Sequence, residues 1–133
     1  MIALDTNVVL RLFIGDDPGQ EAAAGRLFAQ ASRDGTRLYI ADAVLCEVAW
    51  VCRARYKMNR GETAQLLAEL LRTERVVVQD GQGLDAAIEG YREGPGDFSD
   101  YLIRARAAAI GVREVVTFDK ALKGEDGFRV LVG

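Results

Sequence analysis

Apolar positions along this chain fall into short runs that repeatedly end at an acid. Ile2-Ala3-Leu4 stops at Asp5, and Thr6-Asn7 lead at once into a second apolar run, Val8-Val9-Leu10. That pattern predicts a buried strand over residues 2–4 and a helix from Thr6 to about Ile14, ended by the Gly15-Asp16-Asp17-Pro18-Gly19 cluster. An Ala-rich helix is expected over residues 21–33, closed by Asp34-Gly35. Leu38-Tyr39-Ile40 reads as a strand, with Asp42 as the expected cap of a third helix over residues 43–56. Asn59 is the expected cap of a fourth over residues 60–71, whose buried stripe is Leu66, Leu67, Leu70 and Leu71. Val76-Val77-Val78 is a β-branched strand, and residues 84–91 are helical. After the Gly94-Pro95-Gly96 break a further helix runs to Ile110, with Gly111 at its C′ position. Strands are expected over residues 114–117 and 128–132. Strands alternating with helices, with no repeat and no linker, predict an α/β fold: one domain over residues 1–133 with a mostly parallel central sheet flanked by helices.

Strand ends matter because ligands of open α/β sheets sit beyond the carboxyl ends of the strands. Asp5 and Asp119 share that context, each following an apolar run directly. If their strands lie parallel in one sheet, both acids emerge at one edge. The structural alternative for Asp5 is that it, or Thr6, caps the following helix. Glu47 is the only charged residue between Ala43 and Cys52. A helix apolar nearly all round is a buried helix, so Glu47 is expected to be paired, protonated or metal-bound, unless a helix edge reaches solvent. Asp97 and Asp100, three apart at a helix start, can share a face or form a carboxylate variant of the capping box. Arg104, four residues beyond Asp100, is a candidate partner for it.

Composition narrows the chemistry. The chain has 133 residues and no histidine, which removes Ser-His-Asp and Cys-His nucleophile systems and imidazole zinc sites. Cys46 and Cys52 on one helix would stand roughly 9 Å apart along its axis at ~1.5 Å per residue, beyond the ~7 Å that a disulfide spans. They read as small core residues. Clustered carboxylates repel unless a cation compensates. A hard divalent ion, Mg²⁺ or Mn²⁺, held by one or two of them with its waters, is the most economical catalytic scheme. The net charge of −3 argues against broad electrostatic binding of nucleic acid. Even so, Arg11, Arg53, Arg55, Lys57, Arg104, Arg106, Lys120 and Lys123 supply cations for local phosphate contacts. No apolar run approaches the ~20 residues that cross a bilayer, and Asp5 and Arg11 interrupt any leader-like stretch. The expected location is the cytoplasm.

The order Asp5-Thr6-Asn7, Glu47 on an apolar helix, Asp97-Phe98-Ser99-Asp100-Tyr101-Leu102-Ile103 and Val116-Thr117-Phe118-Asp119 resembles the PIN domain. More closely, it resembles the VapC-type toxins of type II toxin–antitoxin pairs. The resemblance covers nearly the whole chain and implies a Mg²⁺- or Mn²⁺-dependent ribonuclease with an acidic pocket. It places Asp5, Glu47, Asp100 and Asp119 as catalytic, metal-facing acids, with Asp97 as an additional acid that either assists or caps. Thr6, Asn7 and Thr117 match the polar residues that hold acids or waters in place. It further implies an RNA substrate, a homodimer and a cognate antitoxin whose carboxy-terminal segment covers the site. Two other classes compete with this reading. One is a catalytically inactive PIN-like module that docks RNA or protein. The other is an aspartate-based phosphotransferase or receiver domain, which Asn7 and the weak placement of Lys120 disfavour.

Overall fold

The computed structural model describes residues 1–133. It divides into two units, Met1–Gln79 and Asp80–Gly133. In the first unit β1 (Ile2–Ala3), β2 (Leu38–Tyr39) and β3 (Val76–Val77) form a parallel sheet in the order β1-β2-β3. Ile2 pairs with Leu38 and Ala3 with Tyr39, and β3 continues the ladder on the other side of β2. Parallel neighbours need long crossovers. Here α1 (Thr6–Leu10) and α2 (Pro18–Asp34) join β1 to β2, and α3 (Asp42–Ala54) and α4 (Arg60–Leu71) join β2 to β3.

β1 is not the buried strand that its apolar sequence suggests. It lies at a sheet edge, and Ile2 and Ala3 are both exposed; burial begins at Leu4 and Thr6. α1 is also shorter than expected. It ends at Leu10, where Arg11 folds back to accept an ion pair with Asp16 and donates to the Ile14 carbonyl. The Gly15–Gly19 cluster therefore does two jobs, since Asp17 and Pro18 already start α2: the Asp17 carboxylate takes the Gln20 N–H at 3.0 Å. Gly35 closes α2 in the left-handed region at φ 70°, where a side chain would be strained.

α4 follows its sequence closely. Asn59 and Glu62 make a reciprocal capping box, each side chain taking the other's main-chain N–H at 2.8 and 2.9 Å. Leu66, Leu67 and Leu70 are buried, Leu71 half-buried. Each full burial of such a side chain contributes about 1.5–3 kcal/mol. α3 packs beside α4 through Leu45, Val48, Ala49 and Cys52. Its amino end differs from expectation: Ala41 is the N-cap residue and Asp42 lies inside the first turn.

Both cysteines are free thiols. Burial pushes the Cys52 thiol up to about 11. A thiol reagent at pH 8 should therefore leave Cys52 unmodified in the native protein and modify it on denaturation, as thiol titration with and without guanidinium can read. The folded protein should also lose stability as pH rises from about 9 towards that value, because the unfolded chain ionises this thiol first. Native modification of Cys52 at the rate of a free thiol would contradict its placement.

The second unit holds α5 (Gly81–Glu93), α6 (Phe98–Ala109), and a parallel pair of strands, β4 (Val115–Thr117) and β5 (Phe128–Val130). A single 3₁₀ turn, Lys120–Leu122, stands between the strands. α5 starts three residues earlier than its apolar pattern shows, because the Asp80 carboxylate caps the Gly83 N–H. α5 and α6 pack through Leu84, Ala87, Ile88, Tyr91, Phe98, Tyr101 and Leu102. Gly111 ends α6 at φ 85°, as its position beyond Ile110 predicts. The expected single sheet is resolved into a three-stranded and a two-stranded one, so the strands preceding Asp5 and Asp119 belong to separate hydrogen-bonded sheets.

Candidate active site

Asp5 follows β1 and is the N-cap residue of α1. Its Oδ1 accepts the Thr6 N–H at 2.8 Å. The capping alternative is thus realised, and it uses one oxygen only. The carboxylate stays exposed, with its second oxygen open to a ligand. Thr6 is buried, and its hydroxyl has no protein partner. A buried polar atom without a partner is costly, and one beside an exposed acid is suited to hold a water. Asn7, the next residue, is exposed.

Glu47 corrects the sequence reading. It is exposed, and so are Ala43 and Trp50, the latter at 68%. At helical spacing these three form one open stripe of α3, while Leu45, Val48, Ala49 and Cys52 face the core. Apolar residues therefore surround Glu47 in sequence without burying it, and no ion pair is needed to stabilise it. Sequence reasoning also passed over Asp42. Continuing the β1–β2 register sets Asp5 opposite Ala41, so Asp42 lies at the same carboxyl edge as Asp5. The clue was present: Leu38-Tyr39-Ile40 running towards an acid repeats the context of Asp5.

In the second unit Asp97 is the N-cap residue of α6 and Asp100 its third helical residue, in a capping box. The Asp100 carboxylate takes the Asp97 N–H at 2.9 Å, and the Asp100 N–H donates to the Asp97 carbonyl at 3.0 Å. Arg104 does not pair with Asp100. It donates to the Asp126 carbonyl at 2.7 Å and lies over the Tyr101 and Phe128 rings. Asp100 is thus left without a cation. Burial, with the charges of Asp97 and Asp119, pushes its carboxyl above the ordinary range, against the lowering effect of the Asp97 N–H. Asp119 caps the 3₁₀ turn through Oδ1, which accepts the Ala121 N–H at 2.9 Å; its own N–H donates to the Thr117 hydroxyl at 3.0 Å. Thr117 therefore fixes the backbone of Asp119, as expected of a supporting residue.

Asp5, Asp100 and Asp119 share a construction. One carboxylate oxygen is pinned by a nearby main-chain N–H, and the other is left for a ligand. Pinning removes rotamer freedom before a ligand arrives, the usual gain of preorganisation. Within each unit no three acids or thiols stand as a ready-made metal cage. The donor set is all carboxylate oxygen, the type that hard divalent ions take. The crowding of Asp100 by Asp97 and Asp119, with no cation to offset it, and the orphaned Thr6 hydroxyl both fit such an ion and its waters.

An α/β chain with acids at strand ends and a helix start defines a class that the family comparison makes specific. The PIN domain family matches residues 2–124, and the chain belongs to that family. It is 28% identical over 123 residues to the VapC ribonuclease of Aquifex aeolicus (strain VF5), a similarity covering 92% of this chain and 90% of that protein.

Proposed function

We propose that the chain is a Mg²⁺- or Mn²⁺-dependent endoribonuclease and the toxin of a toxin–antitoxin pair, working in the cytoplasm as a homodimer. The observation that carries the reading is the crowding of Asp97, Asp100 and Asp119 with no pairing cation, in a member of the PIN domain family. The likeness to a VapC ribonuclease supports RNA as substrate and an antitoxin as partner. No helix is long and apolar enough to cross a membrane.

In this reading Asp5, Glu47, Asp100 and Asp119 hold the ion, with Asp97 beside them. The bound ion supplies an activated water and offsets charge on the phosphodiester. The chain's own residues orient that chemistry. The Thr6 N–H turns Asp5, the Asp97 N–H turns Asp100, and the Ala121 N–H turns Asp119, so each presents one fixed oxygen. The Thr6 hydroxyl can hold a water next to Asp5. Asn7 and Thr117 complete the polar support.

Purified protein incubated with RNA and Mg²⁺ or Mn²⁺ should produce discrete cleavage fragments, and EDTA should stop the reaction. Full activity in EDTA would overturn the metal mechanism. No cleavage of any RNA with either ion would favour a binding module without catalysis.

A further inference from the structure

A pocket of about 320 Å³ opens between α1 and α2, lined by Asn7, Val8 and Arg11 from one helix and by Gln20, Ala23, Ala24 and Leu27 from the other. The second set falls at i, i+3, i+4 and i+7, one face of α2. Arg11 is the unusual member. Its side chain is only 6% exposed, and its Nε is buried with no acceptor. The rest of the guanidinium is committed: Nη1 bonds Asp16 and the Ile14 carbonyl, and Asp16 in turn accepts the Tyr56 hydroxyl at 2.7 Å. Arg11 is thereby fixed in place with its charge matched and one N–H donor left over. A matched charge does not suit a phosphate. It suits a neutral group with an acceptor.

We propose that this pocket receives one nucleobase of the RNA, which the chain reads as a specificity site. The inference rests on the ribonuclease reading. Three of the seven lining residues carry polar groups, and the other four are small or medium apolar side chains. An apolar slot with a few convergent polar groups is how small flat ligands are held. Unstacked bases are recognised by hydrogen bonds along their edges. The Asn7 and Gln20 amides, both exposed, each offer a donor and an acceptor, and Arg11 Nε offers a buried donor. A simple apolar side chain from a protein partner would leave that donor unmet. Asn7 lies two residues beyond Asp5, so a base held here keeps its own phosphate near the first acid.

The test is binding without divalent metal, which separates it from the nuclease reading. The four nucleoside 5′-monophosphates are titrated into the protein and followed by NMR. One base should bind in preference to the others and shift signals of α1 and α2. Ala23→Leu fills the slot from an exposed helix position and should weaken that nucleotide by about tenfold or more, with an unchanged melting temperature. Gln20→Ala should flatten the preference among bases. Equal binding of all four, or an Ala23→Leu variant that binds like the wild type, would overturn the proposal. So would an Ala23→Leu variant that keeps nucleotide binding and loses only a protein partner. If the wild type binds one base selectively yet cleaves no RNA, the pocket stands and the ribonuclease reading falls.

Discussion

Asp5→Asn should reduce RNA cleavage by about 10²–10⁴-fold, the scale on which a positioned acid–base group contributes, while leaving the fold intact. Asparagine is as good an N-cap as aspartate, so the amide oxygen can still take the Thr6 N–H that Asp5 Oδ1 takes at 2.8 Å. What disappears is the negative charge on the open oxygen. Asp100→Asn makes a sharper case, because activity and stability should move in opposite directions. Its amide oxygen can keep the Asp97 N–H, yet the charge that suffers burial and the repulsion of Asp97 and Asp119 is gone. Cleavage should fall on the same scale, and the melting temperature at pH 7 should hold or rise. Single-turnover RNA cleavage beside thermal melts of each variant measures both. Wild-type rates from either variant would remove that acid from the mechanism. A large loss of melting temperature from Asp100→Asn would show a residue kept for the fold rather than for a ligand.

These expectations differ from what the strand-end argument alone supports, and the reason is local. Cap and ligand appeared as rival readings of Asp5, but a carboxylate has two oxygens and the structure commits only one to the cap. The caps and helix stops were legible because their chemistry is local: Asn59 with Glu62, and Gly111 beyond Ile110, act within a turn of their own positions. The exposure of Glu47 was not legible. Ala43 and Trp50 read as core residues by hydropathy, yet they share the open stripe of α3 with Glu47. Alanine and tryptophan tolerate either environment, so the 3.6-residue period had no polar partner to reveal the outer face. Sheet pairing was likewise out of reach. Strands of two or three residues carry too few side chains to specify neighbours, and the ladder resolves into separate sheets of three and two strands.

Tyr101 is where loss of one side chain should cost the second unit most. It is buried to 1% exposure next to Asp100, with its ring edge-on to Phe128 and beneath Arg104. Its hydroxyl accepts the Gly96 N–H at 3.1 Å and donates to the Glu125 carboxylate at 2.9 Å. One atom thereby ties the loop before α6, which carries Asp97, to the turn before β5. Gly94 sits against the same hydroxyl so closely that a Cβ there would collide with it. Tyr101→Phe keeps the ring and leaves the buried Gly96 N–H without this acceptor, at a cost of about 1–3 kcal/mol. Tyr101→Ala also empties the ring's volume, which for a large aromatic costs about 3–5 kcal/mol. The two variants, compared by urea unfolding followed by circular dichroism, should fall in that order. The loop freed by Tyr101→Phe also supplies the N–H that pins Asp100, so RNA cleavage should weaken in that variant while the chain is still folded. A Tyr101→Phe protein as stable and as active as the wild type would show that the hydroxyl bridge holds neither the loop nor the acid in place.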